Sequence, residues 1–102
     1  MQGIGLVWKT INESNTNKFE IERLSDIKNN IWMSVGSLAA AGTATQELTY
    51  QFLDKTSTAV DKIYYRIKQV DHDGTYIYSD IRSIQPDRSK LALTIEGYPN
   101  PN

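Results

Sequence analysis

Cysteine is absent from this chain of 102 residues, histidine occurs once, and the two signs of charge nearly balance. Without cysteine there is no disulfide framework, although the compartment stays open, because a domain with an adequate core can be secreted without one. A zinc site would have to take most of its ligands from carboxylates, since it could draw on one histidine and no thiolate. Eleven Lys and Arg stand against twelve Asp and Glu, for a formal charge of −1. No stretch gathers enough basic residues to neutralise several phosphates, so no nucleic-acid partner is expected. The longest apolar run, Val35 to Ala41, is broken by Gly36 and Ser37. It falls far short of the roughly 20 residues of a membrane-spanning helix, and no membrane insertion is expected. The opening residues MQGIGLVWKT lack a positively charged region, an apolar stretch of signal-peptide length and a small-residue cleavage site. Either the protein is cytoplasmic or this is a fragment whose export signal lies elsewhere, and features near the other end favour the fragment.

What is present suits one small core. The chain is 39% hydrophobic and carries six Tyr, two Trp and two Phe. A domain of this size buries roughly 60–70% of the surface its unfolded chain exposes, and this aromatic bulk fills the space between two small sheets without a metal or a disulfide.

Short runs of alternating apolar and polar residues recur, each closed by Asn, Asp, Gly or Ser, as expected of half-buried antiparallel strands. Ile4, Leu6 and Trp8 share one face, before the polar stretch Asn12 to Asn17. Phe19 and Ile21 share the next, opposite Glu20 and Glu22, and Leu24 to Asn30 reads as a turn. Ile31 to Ala41 has Trp32 and Val35 as anchors, and Tyr50 and Phe52 alternate in a strand ended by Asp54. Lys62 to Asp71 and Thr75 to Ile84 flank Asp71-His72-Asp73-Gly74, a hairpin signal because Gly accepts the positive φ that such turns require. Six strands at this spacing, with no helical stripe among them, predict an all-β fold, a two-sheet antiparallel sandwich. Trp8 and Trp32 are expected in its core. Pro86 to Lys90 reads as a linker.

In order along the chain stand Leu6-Val7-Trp8-Lys9-Thr10 with Glu13 and Asn15, Phe19-Glu20-Ile21-Glu22-Arg23, Trp32 with Val35-Gly36, and Tyr50 and Phe52 with Asp54. Tyr64-Tyr65-Arg66-Ile67-Lys68-Gln69-Val70-Asp71 follows, then Asp73-Gly74 with Tyr76, Tyr78 and Ser79. This order and spacing resembles the fibronectin type III-like domain that precedes the C-terminal sorting domain of the type IX secretion system in secreted proteins of Bacteroidetes. The similarity covers Leu6 to Ile84, and Tyr98-Pro99-Asn100-Pro101 looks like the opening of the sorting domain. The resemblance implies a fibronectin type III-like sandwich over residues 1–85, then a linker and a truncated sorting domain over 86–102. It also implies a secreted or cell-surface location. Such domains usually have a strand ahead of the Trp-containing one, and only Met1-Gln2-Gly3 precedes Ile4. A missing first strand would leave an open sheet edge and invite an edge-strand dimer or strand exchange.

Chemistry-bearing residues are few. His72, between Asp71 and Asp73, has the composition of a metal ligand or general base, but reads as an exposed turn residue. Asp71-His72-Asp73-Gly74 is like the start of a calcium loop, but Tyr76, Tyr78 and Ile81 continue as a strand where further ligands would be needed. Glu20 and Glu22 lie about 7 Å apart on one strand face, without the cleft that glycoside hydrolysis requires. They read as a solvated face paired with Arg23, Lys62 or Arg66. A Ser-His-Asp set would place its histidine on a mobile turn. Tyr64, Tyr76 and Tyr78 are the candidates for an outward aromatic strip that contacts a glycan or a protein. No enzyme activity and no cofactor are expected. The expectation is a non-catalytic spacer or interaction module whose partners are neighbouring domains of the same parent chain. The alternative is a carbohydrate-binding accessory module of a secreted polysaccharide-degrading enzyme, with a polysaccharide as partner.

Overall fold

The alternating runs become strands, and no helix occurs among the residues that the computed structural model describes, which are 3–10, 15–41, 47–55, 62–85 and 92–95. In chain order the strands are β1 (Ile4–Thr10), β2 (Thr16–Asp26), β3 (Ile31–Ala39), β4 (Leu48–Asp54), β5 (Ile63–Asp71), β6 (Tyr76–Tyr78), β7 (Arg82–Ile84) and β8 (Ala92–Ile95). β1 lies at the centre of a three-stranded sheet, antiparallel to β4 on one side and parallel to β8 on the other. The second sheet runs β3-β2-β5, with β6 and β7 sharing the position beyond β5. The chain is an all-β two-sheet sandwich, antiparallel in every described pairing except that of β1 with β8.

Period-two alternation decides what each sheet buries. Ile4, Leu6 and Trp8 from β1 meet Phe19 and Ile21 from β2, Ile63, Tyr65 and Ile67 from β5, and Ile84 from β7. Fully burying each such aliphatic side chain stabilises the fold by about 1.5–3 kcal/mol. One pole of the core is aromatic. Trp8 stacks on Tyr50 at 5.9 Å between centroids and meets Phe19 edge-on at 5.8 Å across the two sheets. Val35, Leu38 and Phe52 pack around the core, and β3 comes so close to β4 that a Cβ on Gly36 would run into the Phe52 ring.

Several local expectations change. β2 continues through Leu24, Ser25 and Asp26, and the turn is confined to Ile27–Asn30. Asp26 closes it by accepting hydrogen bonds from the backbone N–H groups of Lys28 and Asn29, and Asn30 takes a positive φ of 54°. Asn tolerates that conformation better than most residues. The run Thr75 to Ile84 splits into β6 and β7, because three residues, Ser79 to Ile81, stand opposite the two of β5 between the paired positions. Ser79 holds this bulge. Its N–H donates to the Ile67 carbonyl, and its Oγ accepts from the Ile67 N–H, both at 2.8 Å.

The Asp71–Gly74 hairpin forms as the sequence indicates. The Gly74 N–H donates to the Asp71 carbonyl at 3.0 Å and the Asp71 N–H to the Thr75 carbonyl at 2.8 Å, with Gly74 at φ 92°. This is the three-residue hairpin loop that needs Gly at its last position.

The edge of β1 that would be open without a first strand is occupied. Residues 92–95, expected to lie beyond the domain, pair in parallel with Gly5, Leu6, Val7 and Trp8. The sandwich therefore takes a strand from beyond residue 85. The linker Pro86 to Lys90 and the motif Tyr98, Pro99, Asn100 and Pro101 lie outside the described residues.

Candidate functional site

On β5 the residues between the buried ones, Tyr64, Arg66 and Lys68, face away from the core. The register sets Glu22 of β2 opposite Arg66, Glu20 opposite Lys68, Leu24 opposite Trp32 of β3, and Tyr78 and Tyr76 of β6 opposite Lys68 and Val70. Trp32, Arg66, Lys68, Tyr76 and Tyr78 thus share the outer face of one sheet. Trp32 belongs there and not in the core. A large ring suggests burial, but its position on β3 pairs it with outward Leu24, and it is only half-buried.

The face is a ladder of rings and cations. The Arg66 guanidinium lies 4.3 Å from the Trp32 ring centroid and 3.8 Å from that of Tyr78, and its Nε donates to Glu22 Oε1 at 2.7 Å. The Lys68 ammonium stands 4.1 Å from the Tyr76 centroid, and the Tyr76 and Tyr78 rings meet edge-on at 5.4 Å. Each cation–π contact at such a surface contributes about 0.5–1 kcal/mol. One face of each of the three rings is consequently occupied by a cation of the same sheet. Tyr76 and Tyr78 remain 52% and 40% exposed, so part of each residue is open to a partner. Glu20 pairs with Lys18 at 3.0 Å. Both glutamates expected on this face are therefore engaged in ion pairs.

A second polar cluster, not anticipated from the sequence, sits at the pole opposite the aromatic one. Asp54 ends β4 on the same parity as Tyr50 and Phe52, which sends its carboxylate inward, and its side chain is 0% exposed. The Asp54 Oδ2 accepts from Arg23 Nη1 at 2.5 Å and from the Tyr65 hydroxyl at 2.6 Å. Arg23 and Tyr65 belong to one sheet and Asp54 to the other, so the cluster ties the sheets together. Burial, reinforced by the hydrogen bond to Asp54, raises the Tyr65 phenol well above its ordinary value. Strand parity was the available signal, since Arg23 shares a face with Phe19 and Ile21, as Tyr65 does with Ile63 and Ile67.

His72 is exposed in the hairpin loop, and its backbone N–H donates to the Asn15 carbonyl at 3.0 Å. Asp73 accepts from the Thr75 hydroxyl and N–H, which lowers its carboxyl below the usual range. Among the described residues no group of three or more His, Cys, Asp or Glu is placed to hold a metal ion. Shallow grooves mark the surface of the described residues. One of about 220 Å³ runs along Gln69, Asp71, Thr75, Tyr76 and Ile77, and one of about 430 Å³ crosses β1 and β4 at Gly5, Val7, Gln51 and Leu53. Neither brings an acid, a base and a nucleophile together. Comparison with protein-family models, with curated proteins and with solved structures finds no match for this chain.

Proposed function

We propose that this chain is a non-catalytic spacer and interaction module of a secreted or cell-surface protein, of fibronectin type III-like type and placed ahead of a type IX secretion sorting tail. The observation that carries the reading is that the charged groups of both polar clusters are engaged within the fold. Asp54, Arg23 and Tyr65 join the sheets, and Arg66 is held by Glu22, Trp32 and Tyr78. Such groups stiffen a scaffold and leave few free for chemistry. The strand order supports the immunoglobulin-like type. With β1 taken as strand B, β4-β1 corresponds to E–B and β3-β2-β5-β6 to C′–C–F–G, and β8 occupies the flank of B where strand A belongs. The sorting context rests on the YPNP motif at residues 98–101.

Exposure of Tyr76 and Tyr78 favours a second reading, the carbohydrate-binding accessory module. The two separate in a retention assay on insoluble polysaccharides. A spacer passes through at the level of a non-binding control protein, whereas a glycan-binding module is retained and released by Tyr76→Ala and Tyr78→Ala. The sorting context is tested by export of the parent protein from a type IX-competent strain and its retention in a secretion-deficient one. Equal export from both rejects it.

A further inference from the structure

The parallel pairing of β8 with β1 fixes how tension would pass through the domain. β1 begins beside Asp54 and ends beside Leu48, while β8 begins beside Gly5 and ends beside Trp8. β1 therefore starts at the Asp54 pole, and β8 ends at the other. Pulling the flanking chain apart drags β1 toward the Asp54 pole and β8 the opposite way, so the two strands slide along each other. The bonds of a parallel ladder are evenly spaced, and over Gly5–Trp8 and Ala92–Ile95, about 10 Å of overlap, they are loaded together. In an antiparallel hairpin pulled from its two free ends the bonds would instead open one at a time. β1 is also held on its other side by seven paired residues of β4 and by its buried Ile4, Leu6 and Trp8.

We infer that the β1–β8 pair is a shear clamp, which makes this domain a load-bearing link between whatever precedes and whatever follows it in the parent chain. The clamp presupposes the spacer role proposed above and adds the kind of work the spacer does. It also accounts for a parallel strand on the flank of β1. An antiparallel strand there would bring the departing chain back to the Asp54 pole, and the same tension would peel it off.

The absence of cysteine allows two handles to be attached at chosen places without competing thiols. In one form, cysteines added at both ends of the chain load β1 and β8 in shear. In the other, Lys9→Cys, at an exposed position just past Trp8, is paired with the C-terminal cysteine, so that β8 is peeled from its Trp8 end. Both forms are pulled in single-molecule force spectroscopy at the same loading rate, where rupture reports the unfolding rate under load. The clamp predicts a several-fold higher rupture force in the end-to-end form. Equal forces, or a lower force end-to-end, overturn it. That outcome leaves the spacer reading in place, because polysaccharide retention tests the spacer separately.

Discussion

Replacing Asp54 by Ala removes an acceptor that Arg23 and Tyr65 share across the two sheets. Removing one partner of a buried ion pair costs about 3–5 kcal/mol. The orphaned Tyr65 hydroxyl would add about 1–3 kcal/mol if it found no water. The effects share one site and do not add. Arg23 is 15% exposed, so its guanidinium can swing toward solvent, and this relief brings the expected loss to about 3 kcal/mol. Against a domain stability of about 5–15 kcal/mol, that is a large fraction, equivalent to a fall in Tm of about 12–24 °C at 4–8 °C per kcal/mol. Urea unfolding followed by tryptophan fluorescence measures it, since Trp8 is fully buried. Converting the whole cluster to apolar residues, with Asp54→Leu, Arg23→Met and Tyr65→Phe together, should recover most of the loss, because no charge is left behind. A loss below about 1 kcal/mol for Asp54→Ala would refute the claim that this cluster ties the sheets.

The Tyr65 phenol stays protonated in the folded chain beyond its ordinary value of 10.0. The folded state thus holds a proton that the unfolded chain releases, so this contribution to stability is complete below pH 10 and is lost as the pH rises through the raised value. Thermal melts should show a steeper decline above pH 10 than those of Tyr65→Phe, and parallel curves would contradict the assignment. Gly36→Val forces a side chain into the Phe52 ring and should cost at least about 1–3 kcal/mol in urea unfolding, as overpacking does. Gly74→Val meets no neighbouring atom but stands at φ 92°, so about 1–3 kcal/mol of backbone strain is expected. His72→Ala should leave the urea midpoint within the equivalent of about 0.5 kcal/mol, as for an exposed loop residue.

The strands that build the core are legible because their burial follows a strict period of two. Ile4, Leu6 and Trp8, or Ile63, Tyr65 and Ile67, need no tertiary knowledge to be grouped. The hairpin at Gly74 is equally local. The outward place of Trp32 is hidden from the sequence, because a large ring suggests burial and parity on β3 is obscured by a bulge, where Gly36 pairs with Ile21 and Ser34 with Glu22, leaving Val35 over. The break between β6 and β7 depends on Ser79 bonding to Ile67 on another strand, which no local pattern encodes. β8 is the extreme case. Its four residues become a strand of this domain only through a parallel partner far away in the chain. The candidate face was partly legible. Tyr64, Tyr76 and Tyr78 do point outward, but the stacking of Arg66 between Trp32 and Tyr78 depends on three strands coming into register.

The spacer reading is tested most directly by a two-dimensional amide NMR titration of the intact chain with soluble oligosaccharides from a panel of structural and storage glycans, read at Tyr76, Tyr78, Arg66 and Lys68. The spacer account predicts that these resonances stay in place up to millimolar ligand. Saturable shifts confined to this face, abolished by Tyr76→Ala, would contradict it.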